Sequence, residues 1–285
     1  MPLAHRYAVY LDPAEPWRSA GARWLGRCPE TGALLPPGPD ADPRQAAWTA
    51  APRHYGLHAT LKPPFRLRVG RTPQSLDEAV RRLATGVEPF SVRLQCQALR
   101  GFLAWRLASD GAVPAPMPAR ADYAVAQAPM QSLADQEMAQ ASMQPLADPA
   151  MAQAPMQSLA AEAVRQLDDW RAPPTEAELA RRRKSSLSPQ HEAMLARWGY
   201  PYVFEHFIFH ITLTGLLDGA EMRDALARVR AFSDPLCAAP MPVDAVSVYV
   251  QAEPDAPFLV ARHYGFDGTV ADGIAAGYLQ GPAAS

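Results

Sequence analysis

The chain carries one local pattern twice, and that duplication limits what it can fold into. His58-Ala59-Thr60-Leu61 and His210-Ile211-Thr212-Leu213 both read His-x-Thr-Leu. After the first comes a helical segment beginning at Ser75. Ser75 and Glu78 stand at capping-box spacing, and Leu76, Ala79, Val80 and Leu83 form its apolar stripe. Phe90, Val92, Leu94, Cys96 and Ala98 then alternate with polar residues as a half-buried strand does, and a hairpin partner follows Gly101. After the second motif, Asp218 and Glu221 repeat the capping-box spacing. Met222, Ala225, Leu226, Val229 and Phe232 form a helical stripe, Val246, Val248 and Val250 alternate, and a last strand starts at Phe258. Each half reads strand, helix, strand, strand, with leading strands at Leu57–Leu61 and Phe207–Leu213. Ahead of the first half lie a strand at Arg6–Leu11, a helix over Glu15–Leu25 and a proline- and glycine-rich loop from Thr31 to Pro43.

Successive side chains of a strand point to opposite faces. His58 and Thr60 therefore share one face and His210 and Thr212 another, while Leu57, Ala59, Leu61, Phe209, Ile211 and Leu213 turn to the core. Two imidazole–hydroxyl pairs facing each other suit a phosphoester. A neutral histidine can take a proton from the attacking oxygen, and a protonated one can give a proton to the leaving oxygen. The threonine hydroxyls can stabilise charge on non-bridging oxygens. The catalytic candidates are His58 and His210, with Thr60 and Thr212 binding phosphate. Lys62, Tyr55, Arg53, Tyr200 and Tyr202 are candidates for substrate contacts, though packing around the strands explains each of them as well.

A metal reading competes. His54 and His58 are four apart, as are His206 and His210, and on helices each pair could bind one zinc ion. Gly56 in the first pair and Phe207, Ile208 and Phe209 in the second favour strands, where four residues span roughly 13 Å. That distance is too long for one metal, so no metal and no cofactor are expected. His5, His191 and His263 show no constellation.

Between the halves lies a tandem repeat of thirteen residues, starting at Ala126, Ala139 and Ala152. Only the third copy continues into an amphipathic helix, through Leu159, Ala163, Val164, Leu167 and Trp170. The first two copies read as an insertion, Ala126 to Met151, too short and too poor in large apolar residues for a solenoid. The run Arg181, Arg182, Arg183 and Lys184 reads as a solvated helix end with one residue free to face a phosphate. The tail from Asp267 has few large apolar side chains and is expected to fray.

Composition narrows the partners. The chain has 285 residues, 48% hydrophobic and 20% charged, with a net charge of -2. No global positive field draws in long nucleic acid, which favours a small phosphorylated substrate. Three separated cysteines suggest neither a disulfide framework nor a cysteine zinc site. With no signal peptide or membrane-spanning run in view, a cytoplasmic protein is expected.

At RYAVYLDP, RHYGLHATLKPPFRL, LDDWRAPP, ELARRRKSSLSPQHEAMLARWGYPYVFEHFIFHITLTG and VYVQAEPDAPFLVARH, the sequence resembles the two-histidine (2H) phosphoesterase superfamily. Within it, the chain is similar to the bacterial phosphonate-metabolism proteins associated with carbon–phosphorus lyase operons. The resemblance implies an α+β, bilobal, LigT-like fold with two antiparallel sheets around a central cleft and helices outside. Residues 1–110 would form the N-terminal lobe, 111–205 the connection with the 126–151 insertion, 206–266 the C-terminal lobe and 267–285 the tail. It implies a hydrolase acting on a cyclic phosphate or phosphodiester of a ribose or nucleotide intermediate. The competing reading is a phosphate or nucleotide sensor that binds in the same cleft without turnover. The repeat departs from the family pattern. Deleting Ala126 to Met151 is expected to leave folding intact, checked by circular dichroism and a thermal melt; aggregation would show that the segment belongs to the core.

Overall fold

The computed structural model describes residues 3–39, 41–108, 150–183 and 187–280. The first two repeat copies lie outside these residues apart from Ala150 and Met151, and so does Lys184. The chain is mixed α+β. Eight strands form one antiparallel sheet, in the order β10 (Val270–Asp272), β9 (Leu259–Gly265), β8 (Ala245–Gln251), β1 (Arg6–Leu11), β2 (Ala59–Phe65), β6 (Ile211–Thr212), β5 (Phe102–Leu107) and β4 (Leu94–Leu99). A second sheet has two strands, β3 (Phe90–Val92) and β7 (Met241–Val243). Eight α-helices are described: α1 (Trp17–Leu25), α2 (Gln45–Trp48), α3 (Ala50–Arg53), α4 (Pro73–Thr85), α5 (Ala150–Gln166), α6 (Glu176–Arg182), α7 (Pro189–Trp198) and α8 (Gly219–Cys237). Among the described residues, no helix is long and apolar enough to cross a membrane.

The strands do not group by halves of the sequence. The β8–β9 hairpin of the second half adds to β1 of the first, and β6 adds to β5. The helices cross over with them: α4 packs on β9 and β8, while α8 packs on β4 and β5. Each half's helix thus covers the other half's hairpin. The exchange occurs at β3 and β7, which pair antiparallel through Phe90↔Val243, Ser91↔Pro242 and Val92↔Met241. Strands from residues 1–110 and 206–266 interleave in the large antiparallel sheet, beside the small β3–β7 sheet. One boundary is corrected. The expected strand from Phe90 to Ala98 is two strands, broken at Arg93, because alternation cannot show that the pairing partner changes midway.

Other boundaries moved for local reasons. The helix placed at Ser75 starts at Pro73, with Thr72 as its N-cap; the Thr72 hydroxyl accepts from Ser75 N and the Ser75 side chain reciprocates. The strand expected over Phe207–Leu213 shrinks to Ile211–Thr212. Phe204–His206 forms a 3-10 turn, and the Leu213 carbonyl is taken by Trp24 Nε1 at 2.8 Å. The tail expected to fray from Asp267 instead makes β10 and a 3-10 turn at Ala276–Leu279. Leu279 is buried there, and Tyr7 donates its hydroxyl to Tyr278 O at 3.2 Å.

One large apolar core includes Val9, Leu11, Ala59, Leu61, Trp105, Leu159, Ala163, Ile211 and Leu213. A smaller one gathers Ala8, Tyr10, Tyr55, Tyr249, Phe258 and Val260. Ile211 lies at the meeting of β2, β6 and β5 and is fully buried. Ile211→Ala should destabilise the protein by about 2–5 kcal/mol, measured by urea denaturation.

Candidate active site

Ala59 pairs with Ile211 across the antiparallel β2–β6 junction, and both side chains are in the core. The next residues on each strand turn to the opposite face. The register therefore sets Thr60 across from His210 and Thr212 across from His58. The two histidines are diagonal neighbours, a relation that puts Cβ atoms roughly 7–8 Å apart. That gap suits one phosphoryl group between two imidazoles.

The two imidazoles are held alike. His58 Nδ1 donates to Gly56 O at 2.9 Å, and His210 Nδ1 donates to Ile208 O at 2.8 Å. A carbonyl can only accept, so Nδ1 carries a proton in both rings and Nε2 has the lone pair when the ring is neutral. Each bond reaches the carbonyl two residues back, and both rings are half-buried. Tyr10 stacks on His58 at 3.8 Å between ring centroids, and Phe102 lies 5.8 Å from His210.

A cleft of about 630 Å³ opens over Thr60 and His210. Tyr200, Tyr202, Phe207, Ile208, His206 and Arg100 help line it. His58 and Thr212 do not, so the cleft runs past one histidine rather than evenly between the two. Arg100 and His206 were not legible in the sequence. Arg100 reaches the cleft because Leu99 pairs with Phe102, leaving Arg100-Gly101 as a two-residue turn with φ of 48° and 93°. Two positive φ values are those of a type I′ hairpin turn. The Arg100 guanidinium then lies 5.1 Å from the Tyr202 ring centroid. An arginine before the glycine of a hairpin was the only available signal.

The candidates for substrate contacts divide. Tyr200 and Tyr202 line the cleft, edge to face at 5.8 Å. Tyr55 is buried, stacked on Phe258 at 5.1 Å, and backs His58. Arg53 donates to Leu25 O at 2.6 Å and to Thr49 Oγ1 at 2.8 Å, holding α1 and α3 together. Lys62 is buried beside the cleft, donating to Val164 O at 3.2 Å and lying 3.5 Å from Asp168. Neither His54/His58 nor His206/His210 shares a helix. His206, set aside with the metal pairs, lies against the cleft with its ring 4.4 Å from that of His191.

His263, in which the sequence showed no constellation, is the centre of one. Thr60, Tyr10, Ser247 and His263 form a row of paired residues across four strands. His263 Nδ1 is 2.6 Å from Ser247 Oγ, and its Nε2 is 2.6 Å from Glu30 Oε1. Asp12, Glu30 and His263 are the one group of three metal-type ligands among the described residues, within 4.8 Å of one another. Arg18 Nε already brings a cation to 2.8 Å from Asp12 Oδ2. Burial pushes the Asp12 carboxyl up to about 7, outweighing Arg18 and His263. Glu30 is half-buried, which raises its carboxyl, but its bond to His263 and the nearby His263 and Arg18 hold it below the usual value. Of the two carboxyls, Asp12 keeps the proton and Glu30 the charge.

The sequence profile of a family described as "Protein of unknown function (DUF1045)" matches residues 60–151 and 121–259. The two stretches overlap over residues 121–151, where the repeat lies. The chain is 30% identical over 279 residues to "Ribose 1,5-bisphosphate phosphokinase PhnN" of Janthinobacterium sp. (strain Marseille), covering 92% of this chain and 51% of that protein. It is 31% identical over 261 residues to the protein of the same name from Laribacter hongkongensis (strain HLHK9), covering 90% of this chain and 51% of that one. The chain thus spans about half the length of these curated relatives.

The Asp12 proton has a measurable consequence. The carboxyl keeps it to about pH 7 when folded and loses it near 3.8 when unfolded. The native state therefore binds more protons between those values, and this residue makes stability fall as pH rises from about 4 to about 7. Asp12→Asn stays neutral throughout. Its stability relative to wild type should rise by up to about 4 kcal/mol across that window, read from urea denaturation at several pH values.

Proposed function

The chain belongs to the DUF1045 family of proteins of unknown function, and we propose that it is a phosphoesterase using two histidines in general acid–base catalysis. Its substrate in this reading is a small cyclic phosphate or phosphodiester of a ribose or nucleotide intermediate. The observation that carries the reading is the Ala59↔Ile211 pairing. Strand alternation from that pairing supports two imidazoles and two hydroxyls sharing one face, and both Nδ1 atoms are committed to carbonyls. A neutral Nε2 accepts the proton of the attacking water or hydroxyl. The other ring, protonated, gives its Nε2 proton to the leaving oxygen. Thr60 and Thr212 donate to the non-bridging oxygens as negative charge builds there.

The relatives' names support a ribose phosphate as ligand but not phosphokinase chemistry for this chain. Its two lysines, Lys62 and Lys184, follow Leu61 and Arg183. The Gly-Lys-Ser/Thr of a P-loop, whose lysine reaches the transferred phosphate, is absent from this sequence. The link to phosphonate metabolism rests on the family resemblance.

The test is a screen of cyclic phosphates and phosphodiesters with EDTA present, followed by variants on the substrate found. His58→Ala and His210→Ala should each lower kcat by about 100-fold or more. The double variant should lose little beyond either single one, because either change breaks the same proton relay. Thr60→Val and Thr212→Val should each cost roughly 1.5–3 kcal/mol of transition-state stabilisation. The pH–rate profile should be bell-shaped. Near-normal turnover in His210→Ala, or turnover only with added metal, would overturn this mechanism. Tight binding with no turnover would make the protein a sensor.

A further inference from the structure

A second pocket, of about 480 Å³, adjoins the cleft and shares Pro63, Val164, Tyr200 and Val203 with it. Its lining differs in kind. Lys62, Arg66, Arg171 and Arg182 face it together with a single carboxylate, Glu178. Asp168 stands behind, 3.5 Å from Lys62 Nζ and 2.8 Å from Arg171 Nε. Among the described lining residues, four cationic side chains stand beside one carboxylate. The Lys62 side chain is 3% exposed and that of Arg171 14%, while Arg66, paired with Glu178 at 3.3 Å, is 35% exposed at the pocket's mouth. Burial lowers the Lys62 ammonium to about 8 even with Asp168 beside it.

The backbone makes room for this charge. Gly199 caps α7 at a φ of 71°, and a Cβ there would lie 2.8 Å from Arg171 Nη1. Arg182 comes from the basic run read in the sequence as a solvated helix end. Its guanidinium bonds to Gly199 O and lies 5.4 Å from the Tyr200 ring. Thr60 and Lys62 are two residues apart on β2, a step of roughly 6.6 Å. The two pockets therefore adjoin along one strand, as their shared lining residues show.

We propose that this pocket is a subsite for a phosphomonoester, so that the substrate is a pentose bearing two phosphoryl groups. The reacting diester or cyclic phosphate lies over Thr60 and His210, and the terminal monoester lies among Arg66, Arg171 and Arg182. A monoester carries close to two charges at neutral pH and offers three acceptor oxygens, which planar guanidinium groups bind in pairs. The inference rests on the phosphoesterase reading for its first phosphate; the pocket itself does not.

The probe is ribose 5-phosphate, which has the monoester but no diester, titrated calorimetrically at low ionic strength. Arg66→Gln and Arg182→Gln should each weaken binding about ten-fold or more. Glu178→Gln should tighten it, because a competing carboxylate is lost while glutamine still completes the cap with Thr175. A gain of affinity cannot come from damaged folding. His210→Ala should leave binding of this probe within about two-fold. Binding that follows His210 and not the arginines would overturn the subsite, as would no binding by the intact chain at up to about 10 mM. Arginine-dependent binding without turnover of any diester would sink the phosphoesterase reading and leave the subsite standing.

Discussion

One backbone pairing, Ala59 with Ile211, holds the rest of the site in place. It joins β2 to β6, the two strands that follow the histidines, and it lies in the middle of the main sheet. A one-residue slip of β6 would turn His210 and Thr212 inward and Ile211 outward, parting the two imidazoles. The register is guarded on both sides. Trp105 pairs with Ile211 from β5, and Leu11 pairs with Ala59 from β1. All four side chains belong to the main apolar core. The energy that fixes the geometry of the polar face is therefore spent on the apolar one.

The exchanged hairpins make that geometry a property of the whole chain. Because α4 covers β8 and β9, and α8 covers β4 and β5, neither half can bury its own helix alone. The end of the chain is tied into the same unit. Tyr264 donates to Asp77 on α4 at 2.5 Å, and Asp77 also pairs with Arg262 at 2.9 Å. Helix, hairpin and site face are fixed together, so the histidines sit on a support that resists local unfolding.

Charge is sorted along the strands that carry the motifs. On the side of β1, β8 and β9, buried Asp12 meets half-buried Glu30 and His263, and burial raises the Asp12 carboxyl. On the side of α5 and α6, Lys62, Arg66, Arg171 and Arg182 line one pocket. The net charge of -2 hides both, because opposite clusters cancel in a sum and not in space.

The sequence by itself determined most of the elements and drew attention to the candidate site residues. The strand at Arg6–Leu11 has the bounds read from it, and the apolar stripe of α4 is the one its spacing marks. His58, Thr60, His210 and Thr212 were singled out because alternation along a strand is a local rule. Tertiary structure decided which strands pair. Nothing local shows that β3 leaves its own half for β7, that Lys62 is buried against Asp168 beside the cleft, or that Arg182 turns into a pocket. Nor does local pattern reveal that a tail poor in large side chains is held by Leu279 and by a hydroxyl 271 residues away. Those outcomes depend on contacts between residues far apart in the chain, and periodicity reports only on neighbours.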